Sequence, residues 1–464
     1  MEQRWKVLTI TSVGLFMASL DLFIVNIAFP ALAREFGGAS LSNLSWVLNA
    51  YAIVFAALLV PAGRIADRVG RKRVFIAGLL LFAFASALCA AAPSIPFLVA
   101  ARVLQAAGGA MMLPTTLGLI LPAFPVEQRA LAIGIWSAVG GVAAALGPPI
   151  GGLLVQASWR WIFLVNVPIG LATAAVALRS LREIREPEDG RPDLLGAAEL
   201  ALGIGLLTLG IVKGADWGWG DARTLGSFVA AAGLVAAFLR RSAHHHAPVI
   251  ELPLLRIRSF AVANLAAAVF FAGFGAMLLS GVLLLTEVWG YSALKAGFAL
   301  SPGPLVAASF AVPSGRLGAR IGQRPVATAG GLAFAAAFAW ILATVGTTPE
   351  YATTFLPGFL LAGAGVGMTL GTLPAAATSA LPPGRFATGT AVFGMARQLG
   401  TAIGVAVLVA LLDGSGGDLL TGLHHGWAFI VAAGLGAAGL AFALGPVGAK
   451  ATVSAKEMPV PERA

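Results

Sequence analysis

The sequence predicts an all-α polytopic membrane protein of fourteen transmembrane helices, and three observations carry that expectation. The 464 residues are 58% hydrophobic and only 11% charged, with a mean hydropathy of +0.90, against the roughly 25% charge of soluble domains. Apolar stretches of about 20 residues, the length that crosses a bilayer, recur along the whole chain. The Lys, Arg, Asp and Glu collect in the short segments between them.

The apolar runs fall at about 7–30, 44–63, 74–92, 96–121, 130–154, 161–180, 194–213, 225–240, 260–288, 296–315, 326–346, 351–372, 387–412 and 426–446. The 58 Gly and 26 Pro would break soluble helices. In a bilayer, small residues let helices approach closely and neighbouring groups re-satisfy the freed backbone. The first run follows Arg4 and Lys6 and ends near Ala31-Leu32-Ala33, the outline of a signal peptide. It is too long for an h-region, contains Asp21 and leads into further spans, so an uncleaved first helix is expected. Cys89, the one cysteine, has no partner for an intrachain disulfide and reads as core filling.

Cytoplasmic loops carry the excess of Lys and Arg. With both termini inside, Arg34, Arg160, Lys213, Arg223 and Lys295 fall outside and Arg102 and Arg397 within helices. All other Lys and Arg then lie on the cytoplasmic side, as expected of a multi-pass protein in a bacterial-type inner (plasma) membrane. The +10 net charge therefore flanks a membrane and forms no basic face on a folded domain, which argues against nucleic acid as a partner.

The two richest basic segments are an internal repeat. Gly63 to Arg73 matches Gly315 to Pro325 at Gly, Arg, an aliphatic, Arg and Gly in the same order. Their offset is eight helices, which predicts a six-helix half over 1–182, a linker and inserted helix pair over 183–250, and a second six-helix half with a short tail over 251–464. Parallel six-helix halves are the plan of a class of secondary transporters whose site lies between the halves near the midplane. The mixed-charge stretch Arg179 to Asp193 reads as a solvated linker. His244, His245 and His246 lack the Cys or carboxylate spacing of a known metal site, so no metal is expected. No G-x-x-x-x-G-K-[ST], H-E-x-x-H or G-x-S-x-G motif points to nucleotide use or enzyme chemistry.

Five motifs then carry a resemblance over nearly the whole chain. Gly63 to Arg73 resembles the signature loop of the major facilitator superfamily, between its second and third helices. Leu20 to Pro30 is similar to the first-helix motif of the drug-exporting branches, and Arg102 to Gly109 to the fourth-helix motif. Gly147-Pro148-Pro149-Ile150-Gly151-Gly152 resembles the fifth-helix antiporter motif. Trp159 to Phe163 with Asn166 to Gly170 resembles a signature of the fourteen-span drug:proton antiporter branch. The resemblance implies the major facilitator fold, a functional monomer, no cofactor, and the proton gradient as energy source.

Within that frame Asp21 and Arg102 carry the penalty of charged residues inside a span, about 2.5–3.5 kcal/mol each on insertion scales. Both lie roughly 9–12 Å from the outer helix ends at 1.5 Å per residue, as partners directly or through Gln105 and Asn26. Burial raises the pKa of Asp21 and pairing lowers it, so it either exchanges protons or binds a cationic drug in exchange, or it pins two helices. Glu287, near the outer end of the ninth helix, and Arg397, in the thirteenth, are further candidates for coupling or substrate binding. Glu199 reads as an interfacial or functional carboxylate. Arg64, Asp67, Arg68, Gly70 and Arg71, with Gly63, form a candidate conformational latch: Gly70 allows the turn and the arginines hold it at the inner surface. The second copy has Ala319 in place of Asp67, so any latch there is built differently. Gly140, Gly147 and Gly151 share one face of the fifth helix and Pro148 and Pro149 loosen it, which predicts a close, bendable contact with the other half. Gly394, Gly400 and Gly404 give the thirteenth helix a comparable face. Trp46, Trp136, Phe270, Phe271, Phe274 and Trp289 are aromatic candidates for a hydrophobic cavity.

The expected function is proton-coupled efflux of small amphipathic or cationic compounds by alternating access. The alternative is a transporter of one specific metabolite or a single self-resistance antibiotic.

Overall fold

The computed structural model describes residues 2–37, 39–185, 192–381 and 385–444. Among them there is no strand. Fourteen helices are long and apolar enough to cross a membrane: α1 Gln3–Ile27, α2 Leu41–Val69, α3 Arg71–Ala90, α4 Ile95–Ala123, α5 Leu131–Ala157, α6 Trp161–Ser180 and α7 Leu194–Trp217. The remainder are α8 Ala222–His244, α9 Arg258–Val288, α10 Ala293–Ile321, α11 Gln323–Thr344, α12 Tyr351–Thr378, α13 Thr388–Asp413 and α14 Leu419–Phe442. Each overlaps the span expected from its apolar run.

The ends differ where polar residues belong to helices and not to loops. Asp418 caps α14 by accepting from the Leu420 N–H at 3.2 Å, so that helix begins well before the apolar run. Asp193 and Asp221 likewise cap α7 and α8, accepting from the Gly196 and Arg223 N–H groups at 2.8 Å. The segment Gly63 to Arg73, expected as a loop, is almost wholly helical. Arg64, Asp67 and Arg68 ride on the last turns of α2, Gly70 alone turns the chain, and Arg71 opens α3. Helix-favouring Ala and Arg let α2 run on past its apolar stretch. The repeat behaves identically, with Gly322 turning between α10 and α11.

The helix packing repeats at an offset of eight. In the first six helices α1 packs on α4, α5 and α6, α2 on α4, and α3 on α4 and α6. In the last six α9 packs on α12, α13 and α14, α10 on α12, and α11 on α12 and α14. Glycine sets the close crossings in both sets: Gly78 faces the Gly108 carbonyl, and Gly330 the Gly365 carbonyl. The two sets meet through α2 against α13 and α5 against α10. The pair α7–α8 lies beside the first of these contacts, with α7 on both α2 and α13.

The start of the expected linker is not free in solvent. The Glu183 carboxylate accepts from the Lys72 N–H at 3.0 Å, and the Ile184 carbonyl from the Arg71 N–H at 3.0 Å. At its far end Asp193 pairs with Arg241 at 2.6 Å. Residues 186–191 of this stretch, and the tail from 445, lie outside the described residues.

Candidate functional site

A polar cluster in the membrane interior is built around Asp21 of α1, which is 1% exposed. Arg102 Nη1 donates to Asp21 Oδ2 at 2.5 Å, Gln105 Nε2 to Asp21 Oδ1 at 2.8 Å, and Asn166 Nδ2 to Asp21 Oδ1 at 3.2 Å. Arg102, wholly buried, also donates from Nε to the Val47 carbonyl at 3.1 Å and from Nη1 to Gln105 Oε1 at 2.6 Å. Gln105 Nε2 reaches Ser86 Oγ at 2.8 Å, and Cys89 Sγ lies 3.7 Å from Gln105 Oε1. The Arg102 guanidinium covers the Tyr51 ring, 4.1 Å from its centroid. Helices α1, α2, α3, α4 and α6 all contribute, so the cluster belongs to the first six helices alone.

The register explains the set. Arg102 and Gln105 are three residues apart on α4, hence on one face. Asn26 is five residues beyond Asp21, about 140° around α1, and donates instead to its own helix at the Leu22 carbonyl, 2.9 Å away. The structure thus brings together Asp21, Arg102 and Gln105 and leaves Asn26 out. Ser86, Tyr51 and Asn166 are members that sequence reasoning missed. Asn166 sat inside a quoted motif, but nothing in spacing alone ties α6 to α1. Cys89 is core filling that also touches the network.

Glu287 stands apart, exposed in a π-helical turn at the outer end of α9. Glu199 is half-buried on α7, with a buried Oε2 that has no hydrogen-bond partner. Arg397 lies between α13 and α9, its guanidinium 5.6 Å from the Phe271 centroid. Of the aromatic candidates, Phe270 is fully buried against Phe334 and Trp289 is committed to the Gly346 carbonyl at 2.9 Å. Trp46 and Trp136 lie on α2 and α5. Phe274 remains half-exposed beside Phe271.

At the inner surface Asp67 Oδ1 accepts from Arg71 Nε at 2.7 Å, and Arg71 Nη1 donates to the Gly118 carbonyl of α4 at 3.0 Å. Gly70 has φ 128°, a conformation L side chains rarely adopt. Arg68 is exposed. Arg64 Nη2 points to Glu251 Oε1 at 3.4 Å, and Arg385 Nη1 reaches the same oxygen at 2.7 Å. Glu251 had no sequence signal, since it lies in a polar connection far from both arginines along the chain.

On α5 the small residues divide between two partners. Gly147 and Gly151 press on Phe23, Ile24 and Ile27 of α1, and Gly140 lies nearest Leu15. The expected contact with the other set is made instead by the neighbouring face: Gly152 lies against Ala293 and Leu294, and Pro148 and Pro149 against Gly297 of α10. Gly400 and Gly404 fit the α9 backbone at Ala268 and Ala272, and Gly394 faces Leu59 of α2.

Comparison with known proteins agrees with this architecture. The sequence profile of the Major Facilitator Superfamily matches residues 11–405 and again 265–462. The chain is 35% identical to the "Probable actinorhodin transporter" of Streptomyces coelicolor, over 90% of this chain and 74% of that protein. It is 33% identical to the "Tetracenomycin C resistance and export protein" of Streptomyces glaucescens, over 89% and 77%. It is also 33% identical to the "Multidrug resistance protein Stp" of Mycobacterium tuberculosis, over 88% and 76%. A solved bacterial homologue of the human lysosomal transporter Spinster has a similar fold, with a TM-score of 0.65 at 18% identity over 95% of this chain and 97% of that one. An auto-inhibited POT family peptide transporter gives 0.68 at 17%, with the same coverage. The chain belongs to the Major Facilitator Superfamily, of the multidrug-efflux type, as a membrane transporter and not an enzyme.

Proposed function

We propose that the chain is a proton-coupled exporter of the bacterial inner (plasma) membrane, with both termini cytoplasmic, that moves small amphipathic compounds outward by alternating access. In this reading residues 1–182 and 251–464 are the two moving halves, residues 183–250 add the inserted pair, and the monomer is the working unit. The observation that carries it is the Asp21 carboxylate, fully buried and held by Arg102, Gln105 and Asn166. A proton and Arg102 compete for the same oxygens. With Arg102 bound, Asp21 is ionised and the site is neutral; protonation of Asp21 frees the guanidinium and loosens α1 from α4. One proton re-entering the cell supplies about 2.3 kcal/mol per 100 mV and about 1.4 kcal/mol per pH unit, so no cofactor is required.

The test is substrate-dependent collapse of a pH gradient in inverted vesicles. Compounds that collapse it only when the chain is present support antiport. Efflux that persists after an uncoupler has dissipated the gradient refutes it. The names of two relatives favour a second reading, export of one self-made or encountered antibiotic. A transport panel in which a single chemical series is moved would select that reading over multidrug export.

A further inference from the structure

Two arginines lie in the membrane interior, and they are treated in opposite ways. Arg102 has a carboxylate, an amide and a carbonyl as acceptors. Arg397 has none. Among the described residues its guanidinium makes no hydrogen bond and no ion pair. It lies instead against the face of Phe271.

Its position makes this isolation informative. Arg397 is nine residues inside the inner end of α13, roughly 14 Å at 1.5 Å per residue. Helix α13 is surrounded by α2, α7, α9, α12 and α14, and Gly400, Thr401 and Gly404 on the face nearest Arg397 touch the backbone of α9. Arg397 nevertheless keeps partial exposure. Its side chain lies on the face of α13 that packs on α9, beside Phe271. Phe274, one turn outward from Phe271, is also half-exposed, and the two rings are 5.4 Å apart. Asn264, two turns inward on the same face of α9, has an Oδ1 without a partner. The result is a cation beside an aromatic wall, in a half of the molecule whose interior holds no compensating carboxylate among the described residues.

An uncompensated guanidinium in a low-dielectric interior is costly. It favours any ligand that brings a matching anion, and its planar fork suits a carboxylate held through two parallel bonds. The same charge repels a cation. Asp21 and Arg102 offset each other, which leaves Arg397 the interior cation without an acceptor among the described residues of the last six helices.

We propose that Arg397 is the docking point for an anionic group, a carboxylate or phenolate, on the transported compound, whose ring lies against Phe271 and Phe274. This rests on the efflux reading above and narrows its substrates from amphipathic compounds to amphipathic acids.

Three probes with one ring system and different charges test it: 2-naphthoate, 2-naphthamide and 2-naphthylmethylammonium, by equilibrium binding to the full chain in nanodiscs. The native chain is expected to bind naphthoate at least tenfold more tightly than the other two. Arg397→Gln removes that preference, and Arg397→Lys, which keeps the charge without the fork, retains part of it and shows that the loss is not misfolding. Naphthoate bound no better than naphthamide by the native chain, or equally well by Arg397→Gln, overturns the inference. Transport in vesicles separates the two levels. If naphthylmethylammonium is exported and naphthoate is not, the efflux reading stands and the anion site falls. If naphthoate binds through Arg397 but no probe in the panel is exported, the anion site stands and the efflux reading falls.

Discussion

Arg64 of α2 and Arg385, just ahead of α13, meet on a single carboxylate oxygen, Glu251 Oε1, at 3.4 and 2.7 Å. The two arginines belong to opposite halves, and all three groups lie on the cytoplasmic side in the predicted orientation, so Glu251 ties the halves together at their inner ends. Partly exposed pairs contribute about 0.2–1 kcal/mol each. Glu251→Gln should therefore shift the open–closed balance at the inner side by at most about fivefold. The check is the modification rate of Leu59→Cys, placed on the α2 face that meets Gly394, in a Cys89→Ser background. A faster rate is expected with Glu251→Gln; an unchanged rate removes the link.

The Asp21–Arg102 pair should be expensive to halve. Removing one partner of a buried pair leaves an uncompensated charge, at a cost of about 3–5 kcal/mol. Arg102→Gln and Asp21→Asn are each expected to lower the thermal midpoint of the purified protein strongly. Asp21→Asn with Arg102→Gln should recover part of the loss, because the two changes act on one network. Purely additive losses would mean that the two residues are not coupled.

Glycine substitutions should sort by what a Cβ meets. At Gly404 it collides with the Ala272 carbonyl and at Gly152 with the Ala293 carbonyl, both backbone atoms that cannot swing aside. Overpacking of this kind costs about 1–3 kcal/mol. Gly404→Ala, within one half, should reduce stability. Gly152→Ala, between α5 and α10, should reduce transport more than stability by propping the outer ends apart. Gly205→Ala meets nothing within 4 Å and should be neutral in both assays.

Gly70→Ala combines two penalties: φ 128° and a clash with the Glu183 carboxylate. A residue forced into such a conformation costs of order 1–3 kcal/mol. The variant should be cleaved faster by protease added from the cytoplasmic side, and Glu183→Ala should restore only the part due to the clash. Full restoration would show that backbone strain is not the dominant cost.

The fourteen spans and the eight-helix repeat were legible because each rests on a strong local signal: runs of about 20 apolar residues and the paired basic segments at Gly63 and Gly315. Asp21, Arg102 and Gln105 were also legible, since a charge inside a span demands a partner and the i, i+3 spacing supplies its neighbour. Asn166, Ser86 and Tyr51 were not, because they are ordinary residues whose role comes only from where α6, α3 and α2 cross α1 and α4. The helical character of Gly63 to Arg73 was hidden by its charge, which marks the end of the membrane and not the end of the helix. Glu251 is likewise a product of tertiary contact between distant segments.

The proposed coupling step is the exchange of a proton against Arg102 at the Asp21 carboxylate in each cycle. Reconstitution of the native chain and Asp21→Asn in liposomes compares two activities on one exported compound. These are uphill accumulation driven by a proton gradient and counterflow exchange, which needs no net proton movement. Asp21→Asn, less stable because it leaves Arg102 unpaired, is expected to lose gradient-driven accumulation while the folded protein keeps counterflow, since Asn mimics the protonated acid. Gradient-driven accumulation that survives in Asp21→Asn would contradict it and move coupling away from this cluster.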